Sequence, residues 1–260
     1  MASRRIEAKT VIITGGTGGI GIETAKTLLE TKQYKLILIG KDPEKLKKTA
    51  KELDPSNDLV QTFACDLAFP DQIKKTIEKI SVLNARSGIY AVINNAGVYP
   101  FGNATNTTLT GWNEAMDINL RAAFLMIQGV LPLLTKSIGG ARIINVSSTA
   151  GILPNHFALA YSVSKAALIH LTKTLAKELG KDGITVNCLC PGIIKSPMHE
   201  AYHPSEGELE EFYAKRGSII PLGRVGEPSD VAGAIRFFLS PEASWLTGDV
   251  CVIDGGRLLL

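Results

Sequence analysis

Seven short runs of apolar residues recur along the chain. They are TVIIT (Thr10–Thr14), KLILIG (Lys35–Gly40), VQTFAC (Val60–Cys65), YAVINN (Tyr90–Asn95), ARIINVS (Ala141–Ser147), ITVNCLC (Ile184–Cys190) and DVCVID (Asp249–Asp254). Near-continuous apolar character marks strands buried on both faces, not strands with one wet face. Between them lie amphipathic segments such as PEKLKKTAKEL and SDVAGAIRFFL. Strands separated by helices predict an α/β fold, a doubly wound and mainly parallel seven-stranded sheet with helices on both faces and right-handed crossovers. No repeat, low-complexity tract or long linker interrupts the pattern, so residues 1–260 are expected to form one domain.

Open sheets of this kind bind ligands beyond the carboxyl ends of their strands. A glycine-rich loop follows the first run, Asp66 the third, NNAG the fourth, SSTAG the fifth and PG the sixth. The loop, TGGTGGIG from Thr14 to Gly21, precedes a helix predicted to begin near Ile20. Glycines there let the backbone turn tightly and approach a pyrophosphate at the helix N-terminus, the Rossmann-type dinucleotide arrangement. Two registers fit: Gly16, Gly18 and Gly21 match GxGxxG, and Gly15, Gly19 and Gly21 match TGxxxGxG. At the end of the second run stand Gly40, Lys41 and Asp42. Asp42, before Pro43, has the makings of a helix N-cap. That leaves Lys41 to face a ribose 2′-phosphate, which favours NADP(H), with NAD(H) the alternative.

YSVSK, Tyr161 to Lys165, sets a phenol and an ammonium one helical turn apart. A cation so placed is expected to lower the phenol's pKa towards the working pH and make it an acid–base group. Composition adds mostly exclusions. With 45% hydrophobic and 20% charged residues and a formal charge of +3, the chain reads as globular and not as a nucleic-acid binder. No run of about 18 consecutive apolar residues suggests a membrane span. The N-terminal residues lack a signal-peptide pattern, so a cytoplasmic address is the default expectation. Cys65, Cys188, Cys190 and Cys251 lack paired zinc spacing, and Cys188 and Cys190 are expected as buried small hydrophobes on one strand face.

Taken in order, TGGTGGIG, CDL (Cys65–Leu67), NNAG (Asn94–Gly97), Asn119, NVSS (Asn145–Ser148), YSVSK and PG (Pro191–Gly192) resemble the short-chain dehydrogenase/reductases of the compact, single-domain kind, from end to end. The tail PLGRVGEPSDVAGAIRFFLS…WLTGDVCVIDGG is similar to that of the 3-oxoacyl-carrier-protein reductases. The resemblance implies Asn119, Ser148, Tyr161 and Lys165 as the catalytic set. Tyr161 would give a proton to a ketone, Lys165 would stabilise the tyrosinate and bond the nicotinamide ribose, Ser148 would polarise the carbonyl, and Asn119 would hold a water that links Lys165 to solvent. It further implies a dinucleotide held by Gly15, Thr17, Gly18, Gly19, Ile20, Gly21, Lys41, Asp66, Leu67, Asn94, Ala96, Gly97, Pro191, Gly192, Ile194 and Ser196, besides Tyr161 and Lys165.

Two departures from the family pattern stand out. Thr17 and Gly18 occupy the loop position where NADPH-preferring relatives often carry a basic residue, and Ser196 replaces the usual threonine. A lid over about residues 195–217 carries five glutamates, Glu200, Glu206, Glu208, Glu210 and Glu211, read as a solvated helix face. His199 and His203 lack a third ligand nearby, so no metal is expected. Leu153, Asn155, His156 and Phe157 are expected to border the pocket, suiting a sugar, a 3-oxoacyl thioester, a steroid or a small diketone alike. The enoyl-reductase branch resembles a YxxxxxxK spacing, unlike the YxxxK here. The readings therefore run from an NADPH-dependent carbonyl reductase, through an NAD-linked alcohol, sugar or steroid dehydrogenase, to a non-catalytic dinucleotide-sensing regulator. Relatives assemble as dimers or tetramers through the helices around Gly111–Lys136 and Phe157–Leu179 and the C-terminal strand, and a homotetramer or dimer is expected here.

Overall fold

The computed structural model describes residues 8–137, 139–200 and 205–260. Within them run β1 (Lys9–Thr14), α1 (Gly19–Glu30), β2 (Tyr34–Gly40), α2 (Pro43–Leu53), β3 (Val60–Ala64), α3 (Pro70–Leu83), β4 (Ala91–Asn94), α4 (Leu109–Met116), α5 (Ala122–Leu134), β5 (Ala141–Val146), α6 (Leu159–Leu179), β6 (Ile184–Pro191), α7 (Pro197–Glu200), α8 (Glu206–Gly217), α9 (Pro228–Leu239) and β7 (Val250–Ile253). The strands form one sheet in the order β3-β2-β1-β4-β5-β6-β7. Every pairing among the described residues is parallel, so the sheet is wholly rather than mainly so.

The continuous apolar runs have a direct physical cause. Successive strand residues point to opposite faces, and here both faces are covered. Ile12, Ile37, Val92, Ile143 and Val186 pack on one side with Ile73, Ile77 and Ile80 of α3 and Met126 and Val130 of α5. Val11, Ile13, Leu36, Leu38, Ile93 and Leu189 pack on the other with Leu28 of α1 and Val231, Ile235 and Leu239 of α9.

The chain builds β1, β2 and β3 outwards in one direction, then returns to lay β4 on the other side of β1. That reversal opens a crevice at the carboxyl ends of β1 and β4, the place where ligands bind in such sheets. Asp42 caps α2 as its sequence suggests, its Oδ1 accepting from the Glu44 and Lys45 amides at 2.9 and 3.0 Å. The expected helix over Gly111–Lys136 is instead α4 and α5 joined by a π-helical turn, Asp117–Arg121. The stretch Leu109–Leu134 is long and apolar enough by length and composition to cross a bilayer, but the turn carries an Asp117–Arg121 ion pair at 2.6 Å, and α5 packs against α3.

Candidate active site

The glycine loop leaves β1 at the crevice and adopts the second of the two registers. Gly15 and Gly19 have φ of +65° and +27°, the left-handed region that favours glycine. A Cβ on Gly21 would overlap the Gly15 carbonyl oxygen, and one on Gly18 would meet nothing within 4 Å. The loop is fastened to β4 by Asn95, whose Nδ2 donates to the Thr14 and Gly15 carbonyls at 3.1 and 3.2 Å. Thr14 Oγ1 accepts in return from the Asn95 and Ala96 amides at 3.0 and 3.1 Å. Neither Thr14 nor Asn95 stood among the expected contacts, although NNAG itself pointed to Asn95.

Other expected cofactor residues gather around this loop. Thr17 Oγ1 lies against Gly40 at the end of β2, with Lys41 exposed just beyond. Ile20 lies in the first turn of α1 and packs at the edge of the core. Asp66 begins a turn held by its own Oδ1, which accepts from Ala68 N at 3.0 Å, and by Arg121, whose Nη2 donates to Ala68 O at 2.8 Å. Buried Leu67 lines a small cavity with Asn94, Ala96 and Asn119. Asn94 Nδ2 donates to Asn145 Oδ1 at 2.9 Å, and its own Oδ1 is buried without a protein partner. Gly192 receives the end of β7, its amide donating to Ile253 O at 2.9 Å beside Pro191. Ser196 lies against Gly19, where a Cβ would come within 3.1 Å of its own. Ile194 has its side chain buried against Gly226 in the core, which leaves its backbone to meet a ligand.

Asn119, Ser148, Tyr161 and Lys165 come together over the ends of β4, β5 and β6. Tyr161 and Lys165 share one face of α6, the ammonium 5.7 Å from the phenol ring centre. Lys165 Nζ donates to Val146 O at 2.8 Å, and Gly97 leaves room for it, since a Cβ there would stand 3.4 Å from Nζ. Asn119, in the π-helical turn, is pinned by its side chain: Oδ1 accepts from Val98 N at 2.8 Å, and Nδ2 donates to Val98 O and Ser164 Oγ, both at 3.0 Å. The Ser148 hydroxyl accepts from Ala150 N at 3.1 Å and lies near enough to the Tyr161 phenol to lower its pKa. Ser147 has a separate, structural task, its hydroxyl donating to Lys165 O at 2.8 Å.

Electrostatics correct the simplest expectation. Burial pushes the Tyr161 phenol up to about 12, and only the nearby Ser148 hydroxyl opposes it. Burial likewise lowers Lys165 to about 8. Desolvation outweighs the through-space help of an ammonium that is directed at a carbonyl. Among the protein's own groups, Tyr161 is therefore a firmly protonated donor at neutral pH. The lysine is the group that titrates near it.

Over the crevice mouth, Tyr213 of α8 is a tie. Its hydroxyl accepts from Ser196 N at 3.3 Å and bonds His199 Nδ1 at 3.2 Å. Ser205 and Glu208 form a capping box at the start of α8, so Glu206 and Glu208 serve a helix N-terminus. His203 lies outside the described residues, and no cluster of three metal-ligating side chains occurs among the described ones. The loop fits a pyrophosphate: its glycine backbone is open at Gly18 and closed by neighbouring backbone at Gly21, a cradle that added Cβ atoms would fill.

Known proteins place this geometry in context. A family model described as enoyl-(acyl carrier protein) reductase matches residues 15–257. A 3-oxoacyl-[acyl-carrier-protein] reductase of Thermotoga maritima is 36% identical over 256 residues, covering 98% of this chain and 100% of its own. The dehydrogenase/reductase SDR family member 4 of Oryctolagus cuniculus is 31% identical over 249 residues, 95% of this chain and 93% of its own. Among solved structures, the aldohexose dehydrogenase of Thermoplasma acidophilum superposes with a TM-score of 0.86 at 28% identity, covering 98% and 96% of the two chains. A levodione reductase does so at 0.84 and 29%, covering 96% and 97%.

Proposed function

Because the chain belongs to the short-chain dehydrogenase/reductase family of oxidoreductases, we propose that it is an NADPH-dependent carbonyl reductase acting on a small-molecule ketone, with residues 1–260 working as one dinucleotide-binding domain. The observation that carries this reading is the buried Tyr161, one turn from Lys165 with its ring centre 5.7 Å from the ammonium, and near Ser148. A bound reduced nicotinamide would supply a hydride. Tyr161 then gives its proton to the oxygen that gains negative charge, and Ser148 hydrogen-bonds that oxygen. Lys165 stabilises the charge left on Tyr161 and bonds the cofactor's ribose, and Asn119 holds a water that links Lys165 to solvent. Gly15, Thr17, Gly18, Gly19, Ile20 and Gly21 bind the pyrophosphate side. Asp66, Leu67, Asn94, Ala96 and Gly97 border the adenosine side, while Pro191, Gly192, the Ile194 backbone and Ser196 border the nicotinamide under a lid of residues 195–217.

Lys41, exposed at the end of β2 while Asp42 is spent on capping α2, supports NADPH over NADH. The matched family model is named for enoyl reductases, but the Tyr161–Lys165 spacing supports a carbonyl substrate. An NAD-linked dehydrogenase running towards oxidation is the second reading, and comparison of the two cofactor affinities separates them. The carrier-protein and sugar substrates named for the relatives are candidates, as are a cytoplasmic address and a homo-oligomeric state. Consumption of NADPH, and separately NADH, over a panel of ketones tests the proposal, with Tyr161→Phe as control.

A further inference from the structure

An aromatic wall stands against the Tyr161 ring. Tyr99, five residues beyond Asn94 on the loop after β4, places its ring centre 4.5 Å from that of Tyr161 at an interplanar angle of 57°. Phe101 meets Tyr99 edge-on at 5.1 Å. Asn155, on the loop before α6, fixes the Tyr99 hydroxyl by donating from Nδ2 at 2.8 Å. The two loops are zipped together as well: the Gly102 amide donates to Phe157 O and the Leu159 amide to Gly102 O, both at 2.9 Å. Gly102, with φ of +148°, is packed so closely on Thr107 that a Cβ would come within 2.6 Å of its hydroxyl. A surface made rigid in this way presents its apolar groups in one geometry, which lowers the ordering cost of binding.

That wall continues outwards as an apolar surface. Phe101, beside Tyr99, and Leu153 and Phe157, on the loop before α6, are 54%, 60% and 63% exposed. Phe101, Asn155 and Tyr161, which meet Tyr99, carry no charge, and the segment over residues 195–217 is mixed in sign, with five glutamates alongside Lys195, Lys215 and Arg216. From these observations we infer that Tyr99, held by Asn155, is a specificity-determining residue, and that the carbonyl substrate is an uncharged ketone bearing an aryl or other flat conjugated group. A planar group conjugated to the carbonyl lies against Tyr99 when the oxygen reaches Tyr161 and Ser148, gaining offset or edge-on ring contact that a saturated chain does not. A thioester on a saturated acyl chain gains no such ring contact from this wall.

This inference rests on the carbonyl-reductase reading, and the test separates the two. Initial rates with NADPH are measured for an aryl alkyl ketone, a saturated ketone of matched size and a 3-oxoacyl coenzyme A thioester. The proteins are the parent, Tyr99→Leu, Asn155→Ala and Tyr161→Phe. The expected result is a kcat/KM for the aryl ketone about 10-fold or more above the others. Tyr99→Leu should remove most of that preference through KM, leaving the saturated ketone within about 2-fold, and Asn155→Ala should act in the same direction more weakly. A parent that prefers the saturated ketone or the thioester overturns this inference alone, as does a Tyr99→Leu variant that loses rate equally on all three. Turnover that survives in Tyr161→Phe overturns the underlying reading instead.

Discussion

Gly18 and Gly21 are three residues apart in one loop and should tolerate substitution very differently. A Cβ on Gly21 runs into the Gly15 carbonyl, where no flexible side chain can give way, whereas Gly18 has extended backbone and open space around it. Gly21→Ala should lower unfolding stability by about 1–3 kcal/mol, and Gly18→Ala should leave it within about 0.5 kcal/mol. Chemical denaturation of both variants checks this, and equal losses would contradict the register assigned to the loop. Lys165 is the second residue with a sharp signature. Its folded pKa of about 8 lies below the ordinary lysine value of 10.5. Below pH 8 it is charged in both the folded and unfolded chain, and burial penalises only the folded one. From pH 8 towards 10.5 the folded chain has already released its proton, and the penalty fades as pH rises. Lys165→Met should therefore be the more stable protein at pH 7, with the difference shrinking by pH 10. Reduction by the parent should decline as pH passes about 8. A rate that stays flat to pH 10 would show that the lysine charge is not needed.

At the scale of elements, β7 is the outermost strand beyond β6, and its far edge has no partner strand among the described residues. Val252 is partly exposed on it, and Trp245, Leu259 and Leu260 are largely exposed close by in the chain. An open parallel edge beside apolar side chains is a liability that pairing with a second copy removes. The homo-oligomer proposed above should bury this edge, and sedimentation at micromolar concentration should show a dimer or tetramer; a monomer alone would contradict it. The elements themselves were largely legible in the sequence. All seven strands lie where the apolar runs stand, because burial on both faces leaves a pattern that needs no knowledge of neighbours. The π-helical turn at Asp117–Arg121 was not legible, because its cause is tertiary: Asn119 is held by Val98 and Ser164, each far away in sequence. For the same reason Tyr99 was invisible as a pocket residue. Its partners, Asn155 and Tyr161, lie 56 or more positions along the chain.

For the whole molecule, the fold explains why chemistry collects at one edge. A sheet reversal between β1 and β4 opens the crevice, Thr14 and Asn95 tie the glycine loop across it, and α6 carries Tyr161 and Lys165 over the ends of β5 and β6. Motif order made the four catalytic candidates legible from sequence: Ser148 follows β5 directly, Tyr161 and Lys165 sit one turn apart in YSVSK on α6, and Asn119 falls between NNAG and NVSS. The state of the phenol was not legible, because burial depends on everything packed around it. The measurement that bears most directly on the central claim is NADPH-dependent ketone reduction by the parent and by Tyr161→Phe, with the affinity of each for NADPH determined alongside. The account predicts a loss of about 10²- to 10⁴-fold in kcat with the cofactor affinity unchanged. Equal turnover by the two proteins would show that the proton comes from elsewhere and that Tyr161 is not the acid.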